Sequence, residues 1–238
     1  MAVRSPTPVR HLGGALLITA GAFVLSVALS LPALFISAET LLGFTIIVIL
    51  SELGFAAAAG VFLVVAHHRL DYFNLHWPAR RGYVAIVAGT VGLLVFRYLS
   101  LLLIFALGLP VAGNAIVDPA LDGFRDTLLV LVPLSILVIG PAEELLFRGV
   151  LQRYLTESFS TASAIALTSL LFTLAHVPTS LLATPDPLAV GVAGAVLFGI
   201  SVLLGVLYDR TQNLVIPMLV HGLYDAVLFG TAYVVLGF

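Results

Sequence analysis

The chain has 238 residues, of which 61% are hydrophobic and only 9% charged; soluble domains carry roughly 25% charged residues, so a water-soluble fold is excluded. All ten basic residues are Arg, the net charge is −2, and no basic cluster forms, which leaves no footprint for a nucleic-acid partner. With no Cys in the chain, disulfides, thiolate metal sites, a Cys nucleophile and a palmitoyl anchor are excluded as well.

The apolar residues fall in runs long enough to cross a bilayer, which takes about 20 residues. They predict one integral membrane domain over 1–238, an all-α, polytopic transmembrane bundle of seven or eight helices. The polar arm Met1 to Arg10 precedes a first helix over 12–37. A basic arm before an apolar run can open a signal peptide, but this run is too long and lacks a small-residue cleavage site, so it reads as a retained helix. A second helix follows over 40–67, then a loop from His67 to Tyr83 that is rich in His and Arg and contains Trp77-Pro78. The third helix covers 83–110, and the next loop, Val111 to Asp126, carries Asp118, Asp122 and Asp126. The fourth helix, 127–155, and the fifth, 161–177, are joined by a polar turn around Ser158 and Ser160. Pro178 to Pro187 contains three prolines, which donate nothing to a helix ladder, and reads as a loop. A sixth helix covers 188–208, and the stretch 213–237 is one helix or two shorter ones.

The Arg distribution gives the orientation. With the amino terminus inside, the inner side collects Arg4, Arg10, Arg69, Arg80, Arg81, Arg153 and Arg210, and the outer side only Arg125 with the acidic loop. The expectation is a multi-pass protein of the cell membrane with its amino terminus in the cytoplasm.

Ionisable groups inside membrane helices cost at least about 2.5–3.5 kcal/mol near the centre and have a partner or a function. Glu52 and Arg97 lie about equally far from the loop joining helices two and three, which predicts an ion pair between them. Glu144 and Arg148 are four apart and share a helix face, the simplest neutralising pair. Glu143 points about 100° away and has no local partner, as suits a general base or acid. His176 lies about as far after the turn as Glu143 lies before it, so the two arrive at one depth. Thr168, Phe172 and His176 share a face, as do His221 and Asp225. His221 sits about 12 Å from the inner end of its helix, which puts Glu143, His176, His221 and Asp225 at one level on the cytoplasmic side.

At these residues the chain resembles the CPBP family, the intramembrane CAAX proteases and bacteriocin-processing enzymes. Glu143, Glu144 and Arg148 match its first motif, Phe172 and His176 its second, and His221 and Asp225 its third. The resemblance covers 127–238, the part carrying the catalytic motifs. It implies a glutamate-type intramembrane endopeptidase in which Glu143 and His176 activate a water and His221 and residue 225 stabilise the oxyanion. Glu144, Arg148 and Phe172 would support the site. The prenyl-protease branch has Asn at the last position; Asp225 either donates to the oxyanion when protonated or orients His221. The implied partners are the lipid bilayer and a protein or peptide substrate, prenylated or not, with no cofactor.

Three other readings fit parts of the pattern. Glu143, His176 and His221 have the chemistry of a zinc ligand set, although the pair of His flanking a Glu on one helix is missing. A proton-coupled transporter also uses Glu, His and Asp in membrane helices, but no repeated halves or paired broken helices are visible. A non-catalytic membrane scaffold of the same fold is the third, against which the intact motifs count.

Overall fold

The computed structural model describes residues 7–37, 40–113 and 124–236. Among these residues there is no strand, and seven helices are long and apolar enough to span a membrane. The first, α1, is Pro8–Ser30 and runs on into a 3-10 segment, Leu31–Phe35. It is followed by α2 (Leu41–Val65) and α3 (Arg80–Ala106), and then by α4, a continuous helical segment over Asp126–Thr156. The last three are α5 (Thr161–Ala183), α6 (Pro187–Thr211) and α7 (Val215–Val235). The stretch expected as one or two segments at the carboxy terminus is therefore one helix. Of the acidic loop, Asp118 and Asp122 lie outside the described residues.

Local chemistry sets several helix ends. The Thr40 side chain accepts from the Gly43 N–H at the start of α2, and Ser160 does the same for Ser163 at the start of α5. Asp186 caps Leu188 at 2.9 Å, with Pro187 at the first helical position of α6, where its missing N–H costs nothing. Gln212, with φ of 49°, ends α6 in the left-handed region.

The loop expected over Pro178 to Pro187 is shorter than that, because α5 continues through Pro178 to Ala183. Within a bilayer a broken helix leaves backbone groups with no water to turn to, so a proline is accommodated rather than used as a stop. Hydroxyls of Thr179 and Ser180 both donate to the His176 carbonyl, and the His176 ring to that of Phe172.

The centre of the bundle is α4, whose residues are the most deeply buried. On one side α1 and α2 pack as a pair, with α2 also against α4; on the other, α5 pairs with α6, and α7 lies between α3 and α4. Large apolar side chains such as Leu17, Val24, Val64, Leu102 and Leu182 stay exposed on the outer faces, where lipid tails rather than water are the solvent. The ion pair expected between Glu52 and Arg97 is absent: α3 packs on α6 and α7, not on α2. Although α2 and α3 are consecutive in the chain they are not neighbours, so Glu52 faces α4 instead.

The segment between α2 and α3 is tied under the bundle. It holds a 3-10 turn, Leu70–Phe73. The Asn74 carbonyl accepts from Leu214 N–H at 3.2 Å, and Asn213 donates to the His76 carbonyl at 2.8 Å. Arg153 of α4 donates to the Tyr72 carbonyl and lies over its ring. Burial raises the Tyr72 hydroxyl to a pKa of about 12, so it stays a neutral ring beside that guanidinium.

Candidate active site

Two backbone devices in α4 and α7 place the polar residues. Ser135–Ile139 and Leu145–Gln152 of α4 are π-helical, wider turns that recur at functional sites because they re-aim side chains. Beside the first of them, α4 and α7 touch backbone to backbone. A Cβ on Gly140 would lie 2.8 Å from both Gly222 N and Met218 O, and one on Gly222 would lie 2.5 Å from Ser135 O. Such close approach is what small residues permit at membrane helix crossings. Further along, Gly149 accommodates Leu214 and Phe73, so α7 begins level with Gly149, and six residues after its first residue, Val215, His221 meets Glu143 and Glu144.

Glu144, fully buried, is a junction. Its Oε1 accepts from Arg148 Nη1 at 2.8 Å and from His221 Nδ1 at 2.8 Å. The pairing with Arg148 is the one expected from the sequence; the bond to His221 is not. Arg148, also fully buried, donates through Nη2 to the carbonyl and the hydroxyl of Ser201 on α6, each at 2.9 Å. One turn on, Gln152 donates to the Gly205 carbonyl at 3.0 Å. Ser201 and Gln152 were missed in the sequence, although Ser201 interrupts an apolar run of α6 and is the sort of polar residue that ties membrane helices.

Glu143 is bonded differently. Its two oxygens face two imidazoles: Oε1 lies 3.5 Å from His176 Nε2, and Oε2 lies 3.8 Å from His221 Nε2. Both distances are longer than a good hydrogen bond; they hold no water between the two atoms, but a water beside either gap can bond to the carboxylate and the imidazole together. The backbone bond from His176 Nδ1 to Phe172 O, 2.8 Å, fixes that ring so that Nε2 faces Glu143. Likewise Glu144 on Nδ1 fixes the His221 ring with Nε2 toward Glu143 and toward Asp225 Oδ2, the latter at 3.3 Å. The Phe172 ring fills the space between these groups, with its centroid 4.5 Å from the His176 ring, 6.2 Å from His221 and 5.2 Å from the Arg148 guanidinium.

All four residues expected at one level, Glu143, His176, His221 and Asp225, are therefore brought together by α4, α5 and α7. Glu143 and His221 are buried, whereas the side chains of His176 and Asp225 are 28% and 18% exposed. The cluster is thus most open at His176 and Asp225.

That geometry stands beside one sequence comparison. Residues 125–227 match the family model of the Type II CAAX prenyl endopeptidase Rce1-like proteins. The likeness is confined to this stretch. The match takes in every motif residue from Glu143 to Asp225 and is consistent with the CPBP resemblance; α1 to α3 lie outside it. No curated protein and no solved structure matches the chain. As to the zinc reading, no group of three or more His, Asp or Glu among the described residues is arranged to hold a metal ion.

Proposed function

We propose that this chain is an intramembrane endopeptidase of the CAAX-protease type that hydrolyses a peptide bond with a water activated by Glu143 and His176. The Rce1-like match supports the peptidase reading. The observation that carries the mechanism is the buried Glu143 carboxylate facing His176 Nε2 at 3.5 Å and His221 Nε2 at 3.8 Å.

In this reading a water bonded to both Glu143 and His176 gives its proton to the Glu143 carboxylate as its oxygen adds to the scissile carbonyl. The negative charge that develops on the carbonyl oxygen is received by His221 Nε2–H, with Glu144 holding Nδ1–H and so holding the ring in place. Such stabilisation by a pre-aimed donor is usually the largest single contribution. The intermediate then collapses: the C–N bond breaks, Glu143 returns its proton to the leaving amine, and the water's oxygen and second proton stay in the new carboxyl group. For His221 to donate at Nε2 while Nδ1 donates to Glu144, the ring must carry both protons; Asp225 Oδ2 at 3.3 Å is the counter-charge for that form. Glu144 therefore takes the orienting role considered for Asp225, and Asp225 acts at the other nitrogen. No metal enters any step.

The substrate is a protein or peptide that reaches the site from the bilayer, prenylated or not, and the site serves the cytoplasmic side of the cell membrane. The test compares the proteomes of cells carrying the parent protein or Glu143→Ala. A precursor should accumulate with Glu143→Ala and be cut by the purified parent alone; cleavage by the purified Glu143→Ala variant would refute the mechanism.

A further inference from the structure

Glu52 is a buried carboxyl that the mechanism above does not use. It is 7% exposed, and its Oε2 has no hydrogen-bond partner in the protein. A buried charged or polar oxygen without a partner costs free energy, and in a membrane helix no bulk water offsets it. Apolar contacts on either side fix where Glu52 sits. One turn before it, Val48 packs with Leu134 and Ile139 of α4. One turn after it, the Phe55 ring lies 6.1 Å from that of Phe147, and Ala59 then packs with Val150. The order of contacts shows that α2 and α4 run in the same direction, so Glu52 stands between the levels of Ile139 and Phe147, alongside Glu143.

Its electrostatic neighbours are the same groups: Glu143 from α4, and His221 and Asp225 from α7. On its far side α2 meets α1 through Gly54 against the Ser26 backbone. Among the described residues, the titratable groups of α1 are Arg10 and His11, both at its start. Thus Glu52 faces the site and nothing else that titrates.

We infer that Glu52 is a positioning residue of the hydrolytic centre: its carboxyl closes the α2 side of the site and donates a hydrogen bond to a water that it shares with Glu143. This rests on the hydrolytic reading for its catalytic consequence, but the connection between the two carboxyls is a separate physical claim. Glu52 lies outside the Rce1-like stretch, so the amino-terminal helices complete a site whose other residues come from α4 to α7.

The experiment uses the full chain in detergent. Infrared difference spectra of the parent against Glu52→Gln and Glu52→Asp should show a carboxylic-acid C=O band assigned to Glu52, and that band should move in Glu143→Gln. With a substrate peptide, Glu52→Gln should keep KM within about twofold and lose kcat by on the order of 10- to 100-fold, the scale of a misplaced reacting group, with a displaced kcat–pH profile. Glu52→Asp should recover part of the loss. A parent-like kcat and pH profile in Glu52→Gln, or an acid band that is missing or ignores Glu143→Gln, overturns the inference. If Glu143→Gln remains active, the hydrolytic mechanism falls instead, and the infrared comparison still decides the link between Glu52 and Glu143.

Discussion

Substituting Glu144 by Gln separates the two adjacent glutamates by what each one holds. Among the described residues Glu144 is the sole carboxylate at hydrogen-bond distance from the fully buried Arg148 guanidinium, and its Oε1 also takes the His221 Nδ1 proton. Breaking one side of a buried ion pair costs about 3–5 kcal/mol because a charge is left unpaired. Arg148 keeps its two bonds to Ser201, and Gln keeps an acceptor oxygen, so the lower end, about 3 kcal/mol, is expected. For a chain of this length each kcal/mol moves Tm by about 2–4 °C, which predicts a fall of about 6–12 °C for Glu144→Gln. Glu143 makes no contact shorter than 3.5 Å with either imidazole, so Glu143→Gln should move Tm by less than about 2 °C while abolishing hydrolysis. Thermal unfolding of the purified variants in one detergent, alongside peptide cleavage, measures both. A third variant isolates positioning from stability: Glu144→Leu with Arg148→Met removes both charges and should restore stability to within about 1 kcal/mol, yet remain inactive because His221 has lost its Nδ1 acceptor. Equal Tm losses for Glu143→Gln and Glu144→Gln, or activity in the doubly substituted protein, would refute this division.

Gly222→Ala should destabilise by about 1–3 kcal/mol, the range for overpacking, since its Cβ would meet Ser135 O at 2.5 Å; Gly21→Ala, with nothing within 4 Å, should be neutral, and equal unfolding temperatures for the two would contradict the close crossing. Asp225→Asn should lower activity without abolishing it, because the doubly protonated His221 ring loses its counter-charge while Glu144 still holds the ring through Nδ1; a parent-like variant in a steady-state assay would contradict the counter-charge role. Incubation with a strong chelator should leave hydrolysis unchanged, and elemental analysis should find no stoichiometric metal. Stoichiometric zinc lost together with activity would replace the water-activating glutamate by a metalloenzyme.

Much of this site was legible in the sequence because membrane helices impose one-dimensional rules. Seven long apolar runs gave the helices, and a short turn between α4 and α5 made the depth of Glu143 and His176 a matter of counting residues from it. What failed was adjacency. Glu52 was matched to Arg97 on the assumption that helices joined by a loop touch, whereas α3 packs on α6 and α7. Pro178 was read as a breaker by the rules of soluble helices, but lipid leaves a freed carbonyl nowhere better to go, and α5 continues. The bond from His221 to Glu144 was hidden for another reason: spacing on one helix predicts the Arg148 partner, and no spacing rule counts the second lone pair of a carboxylate oxygen.

The same lone pairs explain why two neighbouring glutamates on one helix can have opposite roles. Glu144 Oε1 takes two short donors, one from its own helix and one from α7, while Oε2 is buried without a partner among the described residues, so protonating Glu144 would remove the charge that holds Arg148 and His221 in place. Glu143, one residue earlier and about 100° around the helix, faces His176 and His221 across gaps of 3.5 and 3.8 Å. Glu143 can therefore take a proton, or bond to a water lying beside those gaps, without breaking an existing hydrogen bond. In a medium of low dielectric, where remaking a hydrogen bond is expensive, the group free to exchange a proton is the one held near its partners without being bonded to them. The π-helical turns on either side of the pair and the glycine crossing with α7 set those distances through the backbone. Fold stability and the proposed chemistry therefore separate at adjacent residues, and the separation is enforced by helix geometry rather than by residue type.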